Sequence, residues 1–101
     1  MVNIVGIHVE DVRFPTSKDL TGSDAIHTDP DYSATYVTIN TSEPKLKGFG
    51  IAFTIGKGND IVAECIRNYI PIFDGLSIKE VEKNIGKLWF DCVDHSQLRW
   101  L

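Results

Sequence analysis

Residues 48–70 read GFGIAFTIGKGNDIVAECIRNYI, and two periods meet inside them. Up to Ile55 the large residues Phe49, Ile51, Phe53 and Ile55 alternate with Gly48, Gly50, Ala52 and Thr54, the period of a β-strand. One face of this strand carries bulk, and the other leaves room for a second element to approach closely. From Asn59 onward Ile61, Val62, Cys65, Ile66, Tyr69 and Ile70 recur at helical spacing. The change of period falls on Gly56-Lys57-Gly58-Asn59, so strand, glycine-rich turn and helix follow one another directly. Asn59 is the expected N-cap, Asp60 complements the positive end of the helix, and Pro71 is expected to kink or end it around Tyr69-Ile70. A glycine-rich turn at a helix start also invites an anion-binding reading. Neither GxxxxGKS/T nor GxGxxG is present, so a structural turn is the stronger reading.

Working back from there, Glu43-Pro44-Lys45 supplies a turn, and Tyr32 to Thr41 is rich enough in β-branched and aromatic residues to be a strand. Val5, Ile7 and Val9 alternate with Gly6, His8 and Glu10, then Val12 and Phe14 continue on the other parity. A β-bulge near Glu10-Asp11 would restore the facing; alternatively the strand ends near Glu10. Working forward, Ser77-Ile78-Lys79-Glu80 is a capping box that opens a second helix. Its apolar stripe is Ile78, Val81, Ile85, Leu88, Trp89 and Cys92, with Lys79, Glu82, Lys83 and Lys87 outside. Gly86 within it costs about 1 kcal/mol relative to alanine and marks either tight packing or a weak point. The expected fold class is α+β: a three-stranded antiparallel meander followed by a helical bundle.

At 101 residues the chain forms one domain, and its 43% hydrophobic content is enough to bury a core. A net charge of −4 with no Lys/Arg cluster argues against a nucleic-acid surface. No run approaches the roughly 18 apolar residues of a membrane span. Met1 to Asp11 has neither the basic nor the apolar region of a signal peptide and is not Arg-rich like a transit sequence, so a cytosolic or at least reducing compartment is expected. Cys65 and Cys92 stand far apart inside helical patterns with no second ligand at metal spacing; burial as small hydrophobes is the commoner fate of such thiols, a disulfide or reactive thiol the alternative.

Phe14 to Tyr32, FPTSKDLTGSDAIHTDPDY, interrupts the first two strands with a long polar connection. Connections of this length are usually binding loops, lids or disordered, and Ile26, His27, Tyr32 and two prolines supply anchors that disordered linkers lack. Its Thr, Ser, Asp and His side chains suit a polyhydroxylated or anionic small molecule; the alternative is a solvated Ω-type loop. His8, His27 and His95 fall on different elements, and no Ser/His/Asp, Cys/His or metal constellation emerges. The final Leu98-Arg99-Trp100-Leu101 has no polar tail and is expected to leave apolar surface for a neighbour.

Asp11-Val12-Arg13-Phe14-Pro15-Thr16-Ser17, then Gly22 to Ala34 (GSDAIHTDPDYSA), Gly48 to Gly58 and Gln97-Leu98-Arg99-Trp100 closely resemble the N-terminal region of L-fuconate dehydratases, in the mandelate racemase branch of the enolase superfamily. The resemblance spans nearly the whole chain and implies that residues 1–101 are the N-terminal capping domain, with the catalytic (β/α) barrel absent. The family converts L-fuconate to 2-keto-3-deoxy-L-fuconate and water: it abstracts the proton beside a carboxylate, stabilises the enediolate on Mg²⁺ and expels a β-hydroxyl. The lysine base, metal carboxylates and His/Asp pair of such enzymes belong to the barrel, so the resemblance implies no catalytic or metal-binding residue in this chain, and no activity for it alone. It implies substrate contacts at Gly22, Ser23, Asp24 and Tyr32. A glycine admits the backbone to a sugar acid, Ser and Asp bond its hydroxyls, and a phenol packs and donates. Each also has a structural alternative: a turn at Gly22, a local cap at Asp24, the first core residue of a strand at Tyr32. The implied partners are a sugar-acid substrate, a barrel domain or a second copy, and the implied compartment is cytosolic, with a mitochondrial one as the alternative. The competing reading is a non-enzymatic interaction module derived from such a cap, docking through its helix face and Trp100-Leu101.

Overall fold

A computed structural model describes residues 1–15, 32–94 and 97–100. Three strands, β1 (Ile4–Arg13), β2 (Ser33–Thr41) and β3 (Lys47–Thr54), form an antiparallel sheet in the order β1-β2-β3. Three helices follow, α1 (Asn59–Phe73), α2 (Ile78–Lys83) and α3 (Ile85–Val93), and then a single 3-10 turn (Leu98–Trp100). This is the α+β meander and helical group that the two periods require. The β2–β3 turn lies where Pro44 is, closed by the Leu46 amide donating to the Glu43 carbonyl at 2.9 Å.

Register decides which face of the sheet the helices cover. Gly48 pairs with Ile39 and Ile39 with Ile7; Gly50 pairs with Val37 and Val37 with Val9. Directly opposed residues share a face, so the small residues of β3 lie with the aliphatic ones of β1 and β2. α1 packs on that face, where Ile66, Tyr69, Ile70 and Phe73 meet Ile7, Val37 and Ile39 around an apolar cleft of about 200 Å³. The room expected over the small face of β3 is only partly used, since a Cβ added at Gly50 would meet nothing within 4 Å. Phe49, Ile51 and Phe53 point the other way and are exposed.

The bulge expected near Glu10-Asp11 is not there. Pairing runs unbroken from Gly6 to Arg13, and the register shifts instead between Ile4 and Gly6, leaving Val5 unpaired. The change of parity at Val12 and Phe14 has a different cause: both faces of this sheet hold apolar residues, Ile7 and Val9 on the covered one, Val12 and Phe14 on the open one.

Three further expectations are corrected in the helices. α1 does not end at Tyr69-Ile70, one of the two outcomes expected of Pro71, but continues through it to Phe73. The missing Pro71 amide leaves the Arg67 carbonyl without its helical donor, but the next turn still closes, the Asp74 amide donating to the Ile70 carbonyl at 2.9 Å. The N-cap is Gly58, at φ 89°, a left-handed conformation that glycine adopts without strain, and Asn59 lies inside the helix with its side chain buried. The second helix is divided at Asn84, which ends α2 and begins α3. Gly86, two residues on, has open space around it, so tight packing is not its role. Leu88 is buried, but Ile85 and Trp89 of the expected inner stripe are exposed. The capping box is formed: the Glu80 amide donates to Ser77 Oγ and the Ser77 amide to Glu80 Oε2, each at 3.1 Å.

The α1–α2 connection is laced to the start of β1. The Ile4 amide donates to the Leu76 carbonyl at 2.7 Å, the Gly75 amide to the Ile4 carbonyl at 3.1 Å and the Ile78 amide to the Val2 carbonyl at 2.9 Å. Among the described residues Ile4, Ala34, Ala63, Cys65 and Leu88 are the buried apolar ones. Cys65 and Cys92 are both free; Cys65 is buried, and burial pushes the half-buried Cys92 thiol up, with Asp91 and Cys65 adding to it. No described helix is long and apolar enough to cross a membrane.

Candidate functional site

Two connections leave the same end of the sheet. β1 ends opposite the start of β2, where Arg13 pairs with Ser33, and the ladder extends one step further as the Phe14 amide donates to the Tyr32 carbonyl at 2.8 Å. The 16–31 connection therefore departs and returns at a closed, paired mouth. Ser33 also pairs with Thr54, the last residue of β3, so the Ile55–Gly58 turn into α1 sits beside that mouth.

The covered face changes character toward this end. Ile7, Val9, Val37 and Ile39 give way to Asp11, Arg13, Ser33, Thr35 and Thr54 at the same inward parity. Buried polar groups require partners, and the N-terminus of α1 supplies them through Asn59. Asn59 Nδ2 donates to Asp11 Oδ1. Thr54 Oγ1 donates to Asn59 Oδ1 at 3.0 Å, and Thr35 Oγ1 donates to the Asn59 carbonyl at 3.4 Å. Arg13 completes the set, donating to the Gly56 carbonyl at 2.9 Å and to Asp11 Oδ2 at 3.0 Å. The hydrogen bonds from Asn59 and then Arg13 hold the Asp11 carboxyl below its ordinary value of 3.8. One network thus ties the end of β1, the end of β3 and the first residue of α1, and fixes the shape of the mouth.

The same network bears on the anion-binding reading of Gly56 to Asn59. The Gly56 amide is taken by Thr54 Oγ1 at 3.2 Å, and the Asn59 amide points back to the Gly56 carbonyl at 3.4 Å. Those amides close the turn on itself instead of facing outward as a cradle would require. Lys57, at the tip of the turn, is exposed.

Of the four expected substrate contacts, Gly22, Ser23 and Asp24 lie outside the described residues. Tyr32 is at the mouth, half-buried, its ring edge-on to Phe53 with centroids 5.5 Å apart and planes at 89°. It precedes β2 and packs on the uncovered face of the sheet, so it is not the first core residue of that strand. Reasoning from sequence missed Asp11, Thr35 and Asn59 as a unit. Polar residues at the inward parity of two strands were the available signal, and the expected bulge hid it by assigning Asp11 to an irregularity. Among the described residues no three His, Cys, Asp or Glu side chains stand close enough to hold a metal ion, so these residues do not fit a magnesium site.

No family model matches the sequence. Across 97% of its length the chain is 43% identical to Mitochondrial enolase superfamily member 1 of Xenopus laevis, and across 99% it is 44% identical to L-galactonate dehydratase of Hypocrea jecorina. Each match occupies 22% of the relative, so the chain spans about a fifth of the length of the curated proteins it resembles. The crystal structure of human Mitochondrial enolase superfamily member 1 matches 97% of the chain with a TM-score of 0.85 at 40% identity, over 22% of that protein. The three-stranded sheet and following helices have the fold of its N-terminal capping domain. L-Talarate dehydratase from Polaromonas sp. JS666, crystallised with Mg and L-glucarate, matches 96% of the chain and 27% of its own length with a TM-score of 0.65. At 16% identity that likeness shows a common fold alone.

Proposed function

We propose that this chain is the capping domain of an acid-sugar dehydratase of the enolase superfamily, and that its 16–31 connection selects the sugar acid. The observation that carries this reading is the end-to-end match, 97% of the chain at TM-score 0.85, to part of an enolase superfamily protein, with a sequence relative that is itself a dehydratase. L-Fuconate is the substrate we favour, on the resemblance of the Gly22–Ala34 block. Ser23 and Asp24 bond its hydroxyls, Gly22 admits the backbone, and Tyr32 packs and donates from the edge of the mouth. The Asp11–Arg13–Asn59 network holds that mouth in place. Proton abstraction and the magnesium chemistry belong to a (β/α) barrel that these 101 residues do not contain. The two free cysteines suit a reducing compartment, cytosolic or mitochondrial.

The test is a chimera in which residues 1–101 replace the matching fifth of human Mitochondrial enolase superfamily member 1. It is expected to dehydrate L-fuconate, with Ser23→Ala and Asp24→Ala each lowering kcat/KM about tenfold, the equivalent of one lost hydrogen bond. A chimera that melts cooperatively yet dehydrates none of L-fuconate, L-galactonate and L-talarate would sink the reading. A second reading, an interaction module without enzymatic role, is favoured by one observation: Ile85, Trp89, Phe90 and Trp100 all lie exposed on α3 and the 3-10 turn. In the dehydratase reading the barrel covers this surface. Calorimetric titration of the chain with the human protein's remaining four fifths separates the two, binding being expected only in the first.

A further inference from the structure

The face of the sheet turned away from α1 has no covering element among the described residues. Register places Tyr36, Phe49, Ile51 and Phe53 on it, and the Phe14 step of the ladder adds Phe14 at the mouth end. These five are 39, 78, 65, 65 and 45% exposed, in that order. A solvated face of an antiparallel sheet normally alternates to polar residues. Here β3 sets Phe, Ile and Phe in a row on it.

Charge and area together indicate the occupant. The charged residues on the face are Glu10, opposite Tyr36, and Lys47, opposite Asn40, so its formal charge is zero within a chain of net charge −4. Two copies of an acidic chain repel unless they meet through a patch whose own charges cancel, and a strongly acidic or basic partner would find no complement here. At about 200 Å² per large side chain, the five exposures amount to about 580 Å² per copy and about 1,170 Å² for a pair. That exceeds ordinary lattice contacts and reaches the lower end of specific interfaces. We propose that this face joins two copies of the chain, the two sheets packed face to face about 10 Å apart around a two-fold axis, with Phe49, Ile51 and Phe53 at the centre. The same patch serves both partners, and its modest area makes the dimer weak, with a Kd on the order of tens of micromolar. The inference does not depend on the dehydratase reading: the face reaches the mouth at Phe14 and Phe53, but Phe49 and Ile51, on which the test rests, lie further along the sheet and away from α3.

Light scattering after size exclusion, on the 101-residue chain from about 5 to 500 µM, tests it across that Kd range. The mass is expected to rise from 11.3 kDa toward twice that value. Phe49→Glu, on an exposed side chain, is expected to stay monomeric throughout with unchanged far-UV circular dichroism, and Trp89→Glu on α3 to dimerise like the parent. Ile51→Lys serves as a second variant on the face if Phe49→Glu perturbs folding. A parent chain that stays monomeric at the highest concentration overturns the proposal. A dimer lost in Trp89→Glu and kept in Phe49→Glu overturns it too, moving the self-contact to the helices.

Discussion

Asn59 is the residue through which the polar end of the sheet is satisfied. Its amide nitrogen donates to Asp11, its amide oxygen accepts from Thr54 and its backbone carbonyl accepts from Thr35, all at the first residue of α1. Asparagine was readable from sequence as a cap, because a turn residue before a helix usually caps it. The structure uses it differently because Gly58 takes the cap position and the Asn59 side chain, fully buried, must find its partners in Asp11 and Thr54. The lowered Asp11 carboxyl gives this network a pH signature. The folded chain binds that proton more weakly than the unfolded one, so the stability it contributes is present above about pH 4 and is lost as pH falls through the lower folded value. Asp11→Asn is expected to melt below the parent at pH 7, with the gap between the two narrowing toward pH 3. A gap that stays constant over that range would mean the carboxylate charge contributes nothing.

Among the elements, α1 shows how tertiary packing overrides a local breaker. Pro71 removes one helical hydrogen bond and crowds the preceding turn, at a cost near 3 kcal/mol in a helix interior. The helix nevertheless runs on to Phe73 because Ile70 and Phe73 pack against the sheet on either side of the break. Pro71 itself is exposed, so nothing packed is lost by replacing it. Pro71→Ala is expected to stabilise the chain by about 1–3 kcal/mol, a rise of several degrees in Tm for a domain of this size. A fall in Tm would show that the proline shapes the α1–α2 connection. The division at Asn84 is the opposite case. The stripe from Ile78 to Cys92 is continuous at helical spacing, but Asn84 takes up φ −114° and ψ 23° and splits it. Turning α3 at that point carries Ile85 and Trp89 outward, which a periodicity read along one straight helix does not anticipate.

At the scale of the whole molecule, the described residues leave apolar surface open on the outer face of the sheet and on the outer side of α3. Few of the described residues are fully buried, and a domain this small is marginal unless a partner covers part of it. Partner binding therefore raises stability by mass action. The melting temperature is expected to climb when the remaining four fifths of a relative is added, while the purified chain alone dehydrates no aldonate. Turnover by the isolated chain would contradict the assignment of all catalytic groups to the barrel.

The three strands, the helix that follows them and the start of the next helix followed from sequence alone, whereas its division at Asn84 did not. Periods of two and 3.6 residues, the turn at Pro44, the glycines between Ile55 and Asn59 and the capping box at Ser77 are local properties, written in adjacent residues. What only the tertiary structure decided is which side of each element is covered. Alternation in β3 defines two faces without ranking them, and bulk alone would have buried Phe49, Ile51 and Phe53. Pairing with β2 reversed that, because it aligned Gly48 and Gly50 with Ile39 and Val37 and thereby placed α1 over the small face. Register is a relation between strands distant in sequence, and no single strand contains it.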